Sequence, residues 1–206
     1  MKKLALTDFA KYRYPSALEL SPDSRYLTFA LKDVDREGDG YRWNLWLYDL
    51  ERRESRQITQ GDDQRKAVWE DNTHILYKTT EPDEALRARG FEEEWTVYHR
   101  LNVCTGEDRE AFRLPMSVSG LWKMDDGRYV FTGETHLDRP NLLELTGEAL
   151  EKELVRRQQT RGYKVLTELP LCENGVGMFN QTRNTLFLYL EAAGEYRRIT
   201  PEDYDV

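Results

Sequence analysis

Short runs that alternate apolar and polar residues, separated by tight polar turns, dominate this chain. Leu18-Glu19-Leu20 leads through Ser21-Pro22-Asp23-Ser24 into Arg25-Tyr26-Leu27-Thr28-Phe29. Period-two alternation on both sides of a Pro-Asp turn predicts two strands around a tight reversal, since successive strand side chains point to opposite faces. The arrangement returns as Ala67-Val68-Trp69, Glu70-Asp71-Asn72-Thr73 and His74-Ile75-Leu76-Tyr77. It returns again as Leu121-Trp122, Lys123-Met124-Asp125-Asp126-Gly127 and Arg128-Tyr129-Val130-Phe131. Each hairpin is followed by an aromatic strand and a shorter return strand. Asn44 to Leu50 turns at Glu51 to Glu54 and returns as Ser55-Arg56-Gln57-Ile58-Thr59. Trp95 to Leu101 turns through Thr105-Gly106-Glu107, and Thr185 to Leu190 turns at Ala193-Gly194 and returns as Tyr196-Arg197-Arg198-Ile199-Thr200. The endings Arg56-Gln57-Ile58-Thr59 and Arg197-Arg198-Ile199-Thr200 are near copies of one another.

A unit of four antiparallel strands that recurs roughly every 40 to 50 residues is the pattern of β-propeller blades. The predicted fold is therefore all-β: an incomplete β-propeller of about three four-stranded antiparallel blades with short helical insertions. Blade 1 is expected at about 15–60, blade 2 at about 62–113, and blade 3 at about 116–200 with a helical insertion at about 137–166. A β-sandwich is the competing architecture, but it does not require one turn chemistry to recur in every unit. Trp46, Tyr48, Trp69, Tyr77, Trp122 and Phe187 recur at equivalent positions and are expected to fill the core between blades rather than to stack on a ligand. In the long insertion, Glu148 to Arg157 is rich in helix formers, with Leu150 and Leu154 on one face, Thr146 as a cap and Gly162 as a stop. A shorter helical insertion is predicted over Pro82 to Arg89, ending at Gly90. Both interrupt a blade between its second and third strands, so both are expected to project from one rim and to be available for recognition.

The formal charge of −8 argues against a nucleic-acid or anionic-membrane binder, since phosphate recognition needs a basic surface. No stretch approaches the roughly 18 apolar residues of a membrane helix, and Met1 to Tyr12 lacks a signal-peptide core, so a cytoplasmic protein is expected. Cys104 and Cys172 have no metal-type spacing; two buried, reduced thiols are the expectation, with a disulfide as the open alternative.

A nucleophile elbow needs Gly-x-Ser-x-Gly, and Ser119 before Gly120 comes nearest, with Ser117 where a glycine should stand. Ser119 therefore reads as a strand residue. His74, His99 and His136 lie in or beside predicted strands without a metal-ligand spacing and read as satisfied or solvent-facing. Gly175-Val176-Gly177 lacks the Lys and Ser or Thr of a phosphate loop and reads as a turn. No catalytic residue, metal site or cofactor is expected.

Ser21 to Leu27 followed by Leu45 to Leu50 resembles the opening blade of the prolyl oligopeptidase family of serine peptidases, in particular its acylaminoacyl-peptidase and dipeptidyl-peptidase-like branch. The resemblance extends to Trp95-Thr96-Val97-Tyr98, Arg139-Pro140-Asn141-Leu142, Glu168-Leu169-Pro170, Asn174-Gly175, Gly177, Phe179-Asn180 and Arg183-Asn184. It implies an N-terminal propeller that limits access to a C-terminal α/β-hydrolase domain, whose Ser, Asp, His triad cleaves short peptides. This chain stops at Asp205-Val206, where a fourth blade is expected, and so reads as the propeller portion alone, without the hydrolase domain and inactive by itself. Some dipeptidyl peptidases of the family hold the substrate's free amino terminus with paired propeller glutamates. Within Glu92-Glu93-Glu94, Glu93 and Glu94 are the matching candidates; a solvated, charged strand start is the plainer reading. The resemblance thus implies a non-catalytic, substrate-gating propeller segment of a serine peptidase. The alternative is a free-standing propeller for protein interaction or ligand binding. Expected partners are short peptides, the hydrolase domain and further copies of the chain, because three blades leave apolar faces and strand edges uncovered.

Overall fold

The computed structural model describes residues 5–35, 38, 40–61, 63–162, 171–173, 177–179, 181–202 and 204–206. Glu168-Leu169-Pro170, Asn174, Gly175-Val176 and Asn180 lie outside the described residues.

The alternating segments form three four-stranded sheets in chain order. The first runs β1 (Tyr14–Leu20), β2 (Tyr26–Asp35), β3 (Gly40–Asp49) and β4 (Glu54–Gln57). The second runs β5 (Ala67–Trp69), β6 (His74–Pro82), β7 (Glu94–Asn102) and β8 (Asp108–Leu114). The third joins β9 (Val118–Lys123), β10 (Tyr129–His136), β13 (Thr182–Leu190) and β14 (Glu195–Arg198), with a hairpin of β11 (Leu171–Glu173) and β12 (Gly177–Phe179) in the insertion between β10 and β13. Helices are few: α1 (Glu84–Arg87) and α2 (Gly147–Thr160), with 3-10 turns at Leu6–Lys11 and Leu142–Glu144. The fold is an incomplete β-propeller of three antiparallel blades with short helical insertions, as the repeat predicts.

The recurring turn residues do one job in each blade. Asp23 Oδ1 accepts from the Arg25 amide at 3.1 Å, Asp71 Oδ1 from the amides of Thr73 and His74 at 2.7 and 2.8 Å, and Asp126 Oδ1 from the Arg128 amide at 3.1 Å. A short carboxylate bonding the backbone two residues on closes the reversal locally, which is why Asp recurs there. Asp49 and Asn102 do the same between third and fourth strands, accepting from Glu51 and Arg52 and from Cys104 and Thr105. The copied Ile-Thr endings are also functional copies. The Ile58 amide donates to Leu45 O and the Leu45 amide to Thr59 Oγ1, each at 2.8 Å; Ile199 donates to Leu186 O at 2.8 Å and Leu186 to Thr200 Oγ1 at 3.3 Å. A threonine hydroxyl thus replaces the last rung of the ladder where the fourth strand leaves the sheet.

The chain divides into two compact units, Met1–Thr80 with Val97–Arg113 and Glu81–Thr96 with Leu114–Val206. In the first, Tyr26, Ala30, Leu45 and Leu47 pack with Ala67, Ile75, Tyr77, Leu101 and Val103 in one apolar cluster. Their sequence neighbours Leu27, Phe29, Trp46 and Tyr48 fall on the opposite face and are half-buried. Trp46 and Tyr48 therefore do not enter that cluster as expected; Trp46 stacks on Phe29 at 6.5 Å instead, because strand parity assigns it to the other side. A bulge between Ser16 and Glu19, with Ala17 at φ 50°, aims the Glu19 carbonyl at Thr28 Oγ1 (3.2 Å) and Trp69 Nε1 (3.1 Å). That one carbonyl satisfies a buried hydroxyl and an indole.

In the second unit, Tyr129, Phe131, Phe187 and Tyr189 are buried on one face of the third blade. Phe131 and Phe187 stack at 5.0 Å, and Tyr196 meets both edge-on at 6.0 and 5.5 Å. Gly133 makes room beneath Met116, whose sulfur lies 2.5 Å from where a Cβ would stand. Trp122, expected in the core, is 49% exposed: Leu121 takes the inward position, and the Trp122 ring lies over Gly120, 2.4 Å from the place of a Cβ there. Thr146 precedes α2 but its side chain makes no capping bond, and α2 runs to Thr160, just short of Gly162.

Candidate functional site

The two helical insertions meet in the second unit. At the tip of the β6–β7 hairpin, Asp83 caps α1 by accepting from the Leu86 amide at 2.9 Å, and its other oxygen accepts from Trp95 Nε1 at 3.1 Å. Those bonds hold its carboxyl below the usual carboxylate range. Gly90, at φ 84°, then lets the chain reverse so that the Phe91 amide reaches Leu86 O at 3.0 Å. Leu86 is thereby buried with Leu142 and Leu154, flanked by Phe91, Leu143, Leu145 and Leu150. Leu150 and Leu154 share this face of α2, as their spacing predicts.

Charges close around that cluster. Arg157 donates to Glu93 Oε1 at 2.7 Å, to Glu153 Oε1 at 3.0 Å and to Pro140 O at 2.6 Å. Its side chain is 12% exposed, and that of Glu153 only 9%. Arg156 pairs bidentately with Glu153 at 2.7 Å and, with Arg157, holds that carboxyl below its ordinary range against the cost of burial. Arg89 pairs bidentately with Glu151 across the two insertions at 2.7 Å. Of the predicted substrate-binding pair, Glu93 is half-buried on Arg157, while Glu94 is exposed at the first residue of β7, beside exposed Glu92. An ammonium ligand at Glu93 would have to displace a guanidinium already in place. In the sequence Arg157 reads only as part of a helix; its i,i+4 spacing to Glu153 is visible in the chain, but its partner Glu93 is 64 residues away.

The histidines are bonded within the fold. His74 Nδ1 meets Asp71 Oδ2 at 2.9 Å, and that carboxyl is held at about 2 by amide and histidine bonds that outweigh its burial. His99 bonds Thr79 Oγ1 at 3.1 Å and stacks on Tyr77 at 5.2 Å. His136 lies 3.2 Å from Thr182 Oγ1 and 3.0 Å from Arg139; burial first, then the Arg139 charge, lowers it to about 4. Ser119 Oγ is exposed and donates to Thr132 O at 3.4 Å. Among the described residues, no cluster of His, Cys, Asp and Glu is arranged to hold a metal ion, and no helix is long and apolar enough to cross a membrane.

The first unit contains a cavity of about 410 Å³ lined by Arg25, Tyr26, Asp49, Arg52, Arg56 and Cys104 among others. Cys104 is exposed there, correcting the expectation of a buried thiol, because it sits in the β7–β8 turn rather than in a strand. The Cys172 side chain lies outside the described residues. Arg56 donates to Val103 O, Asp49 lies 3.9 and 4.0 Å from Arg25 and Arg52, and the buried Arg25 Nε makes no hydrogen bond among the described residues.

Fold and site together define a β-propeller segment that carries a charged, helical arm on its blades. No family model and no curated protein sequence matches the chain. Solved structures do. The chain is similar to the Pyrococcus horikoshii acylaminoacyl peptidase with a TM-score of 0.61 and 12% identity, over 93% of this chain and 26% of that one. It is similar to acylaminoacyl peptidase in complex with Z-Gly-Gly-Phe-chloromethyl ketone with a TM-score of 0.59, 12% identity and the same coverage of 93% and 26%. The AtxE2 isopeptidase is similar with a TM-score of 0.51 and 14% identity, over 92% of this chain and 30% of that one. The likeness is one of fold, and the chain spans about a quarter of the length of the peptidases it matches first, 26%. The resemblance read from the turns and strands is met at that level.

Proposed function

We propose that this chain is the non-catalytic, substrate-gating propeller segment of a serine peptidase that hydrolyses short peptides. The observation that carries the reading is the fold match to acylaminoacyl peptidase over 93% of the chain, joined to a sequence without a nucleophile elbow. A propeller gates by exclusion: its blades form a rigid wall, and insertions at one rim narrow the approach. Glu93 and Glu94 then serve as acidic contacts for a peptide's free amino terminus. Glu94 is accessible directly, and Glu93 becomes so on release from Arg157. The reading places the protein in the cytoplasm, where an exposed thiol such as Cys104 stays reduced.

The test compares peptidase activity of this chain with that of the polypeptide encoded by its full gene, on amino-blocked and free chromogenic peptides with a serine-directed inhibitor. The expected result is inhibitor-sensitive activity in the full-gene product alone. Glu93→Gln with Glu94→Gln is expected to raise KM for free peptides and leave blocked ones unchanged. Activity in neither protein would overturn the reading in favour of a binding propeller.

Exposed Leu18 and Leu20 on β1, beside half-buried Leu27, Phe29 and Trp46, support a second proposal, that the isolated chain self-associates through this blade face. Sedimentation showing a monomer at every concentration would refute it.

A further inference from the structure

The long insertion hangs from the end of a closed ladder. β10 pairs with β13 as far as His136 with Thr182, and the Leu137 amide reaches Gln181 O at 2.8 Å. Among the described residues of this insertion, none pairs with a strand of the third blade. What holds α2 down is a separate small cluster, with only Leu86, Leu142 and Leu154 fully buried, apart from the aromatic core of the blade. Satellite clusters of this size, beneath long insertions, define the least stable cooperative units of a fold. Among the described residues the remaining attachments are polar: Arg157 bonds Glu93, Glu153 and Pro140 O, Arg89 bonds Glu151, and ahead of α2 Asn141 bonds Pro115 O and Tyr196 bonds Glu144. Two of these contacts, Arg157 to Glu93 and Arg89 to Glu151, cross from α2 to the β6–β7 hairpin.

From this geometry we infer that α2 is a latch. It opens as one unit from the β6–β7 hairpin while the blades stay folded, and the Arg157–Glu93 ion pair is its clasp. Opening exposes the three leucines and returns the Glu93 carboxylate to solvent. The Arg89–Glu151 pair lies at the surface, where salt screens it, whereas the Arg157 cluster is shielded and contributes the larger share.

Hydrogen exchange read by mass spectrometry on the full chain tests the latch. In Arg157→Ala, amides of 147–160 are expected to exchange at least about tenfold faster, with β10 and β13 unchanged, as loss of the Arg157 bonds to Glu93, Glu153 and Pro140 O requires. The charge swap Glu93→Arg with Arg157→Glu is expected to recover part of that protection. Should Arg157→Ala not fold, Glu93→Gln is expected to loosen α2 selectively, because it removes the charge on the hairpin side of the clasp and leaves the blade core intact. Unchanged protection of 147–160 in these variants would overturn the inference, and so would loosening of β10 and β13 in step with α2. None of these readouts depends on peptidase activity, so the latch stands or falls separately from the gating function.

Discussion

Replacing Phe131 by alanine tests the assignment of faces in the third blade against its immediate neighbour. Phe131 is fully buried, stacks on Phe187 at 5.0 Å and receives the edge of Tyr196 at 6.0 Å. Burying an aromatic side chain of about 200 Å² at about 25 cal/mol per Å² corresponds to about 5 kcal/mol, part of which the alanine methyl retains. Losing two aromatic contacts and leaving a cavity adds to the cost, and the expected loss is about 3–5 kcal/mol. Thr132, one residue on, pairs with Leu186 and Gly120 on the opposite face and is only half-buried, so Thr132→Ala is expected to cost less than about 1 kcal/mol. Chemical denaturation gives both values from the midpoint shift at constant slope. Because the chain forms two compact units, hydrogen exchange of β10 and β13 assigns the loss to the right one. Comparable losses at 131 and 132, or a loss below about 1 kcal/mol at 131, would refute the reasoning.

His136 makes stability depend on acid. Its folded-state value of about 4 lies below the ordinary 6.5, so between these the unfolded chain binds the proton that the folded ring refuses. Stability is expected to be complete above about pH 6.5 and to fall as pH drops towards about 4; with the ring partly open to water the loss is about 1–2 kcal/mol, and His136→Gln should abolish that part of the pH profile. Arg100 grips Glu70 through two bonds of 2.5 and 2.7 Å, with side chains 20% and 8% exposed. Arg100→Met alone is expected to cost about 2–3 kcal/mol by removing two charge-assisted bonds from a buried carboxylate, and the double change with Glu70→Met less; a cycle with no coupling would count against the pair. Cys104 is expected to react with a thiol reagent in the folded protein, mapped by peptide mass spectrometry, and labelling only after unfolding would contradict its exposed position.

Much of this architecture is local and therefore legible along the chain. Asp23, Asp71 and Asp126 close turns by bonding amides a few residues away, Gly90 and Gly127 adopt left-handed geometry at φ 84° and 82°, and period-two alternation assigns Tyr26, Thr28 and Ala30 to a single face. Because these effects act within a few residues, and because they recur, the repeat announces its blades and the strand pairs within them. The repeat does not say which of two apolar faces is covered. Trp46 and Tyr48 look as core-worthy as Leu45 and Leu47, yet only the leucines meet the neighbouring strands of their unit, since parity sends alternate side chains apart. Nor does composition distinguish Trp122 from Leu121; a bulged register in β9 and the space over Gly120 turn the larger ring outwards. The candidate site shows the same division. Glu92-Glu93-Glu94 and the helix formers of α2 are plain in the sequence, whereas the pairing of Glu93 with Arg157 is tertiary. It exists because two insertions, neither able to bury its own leucines, close their apolar faces on each other and bring opposite charges to the edge of the contact.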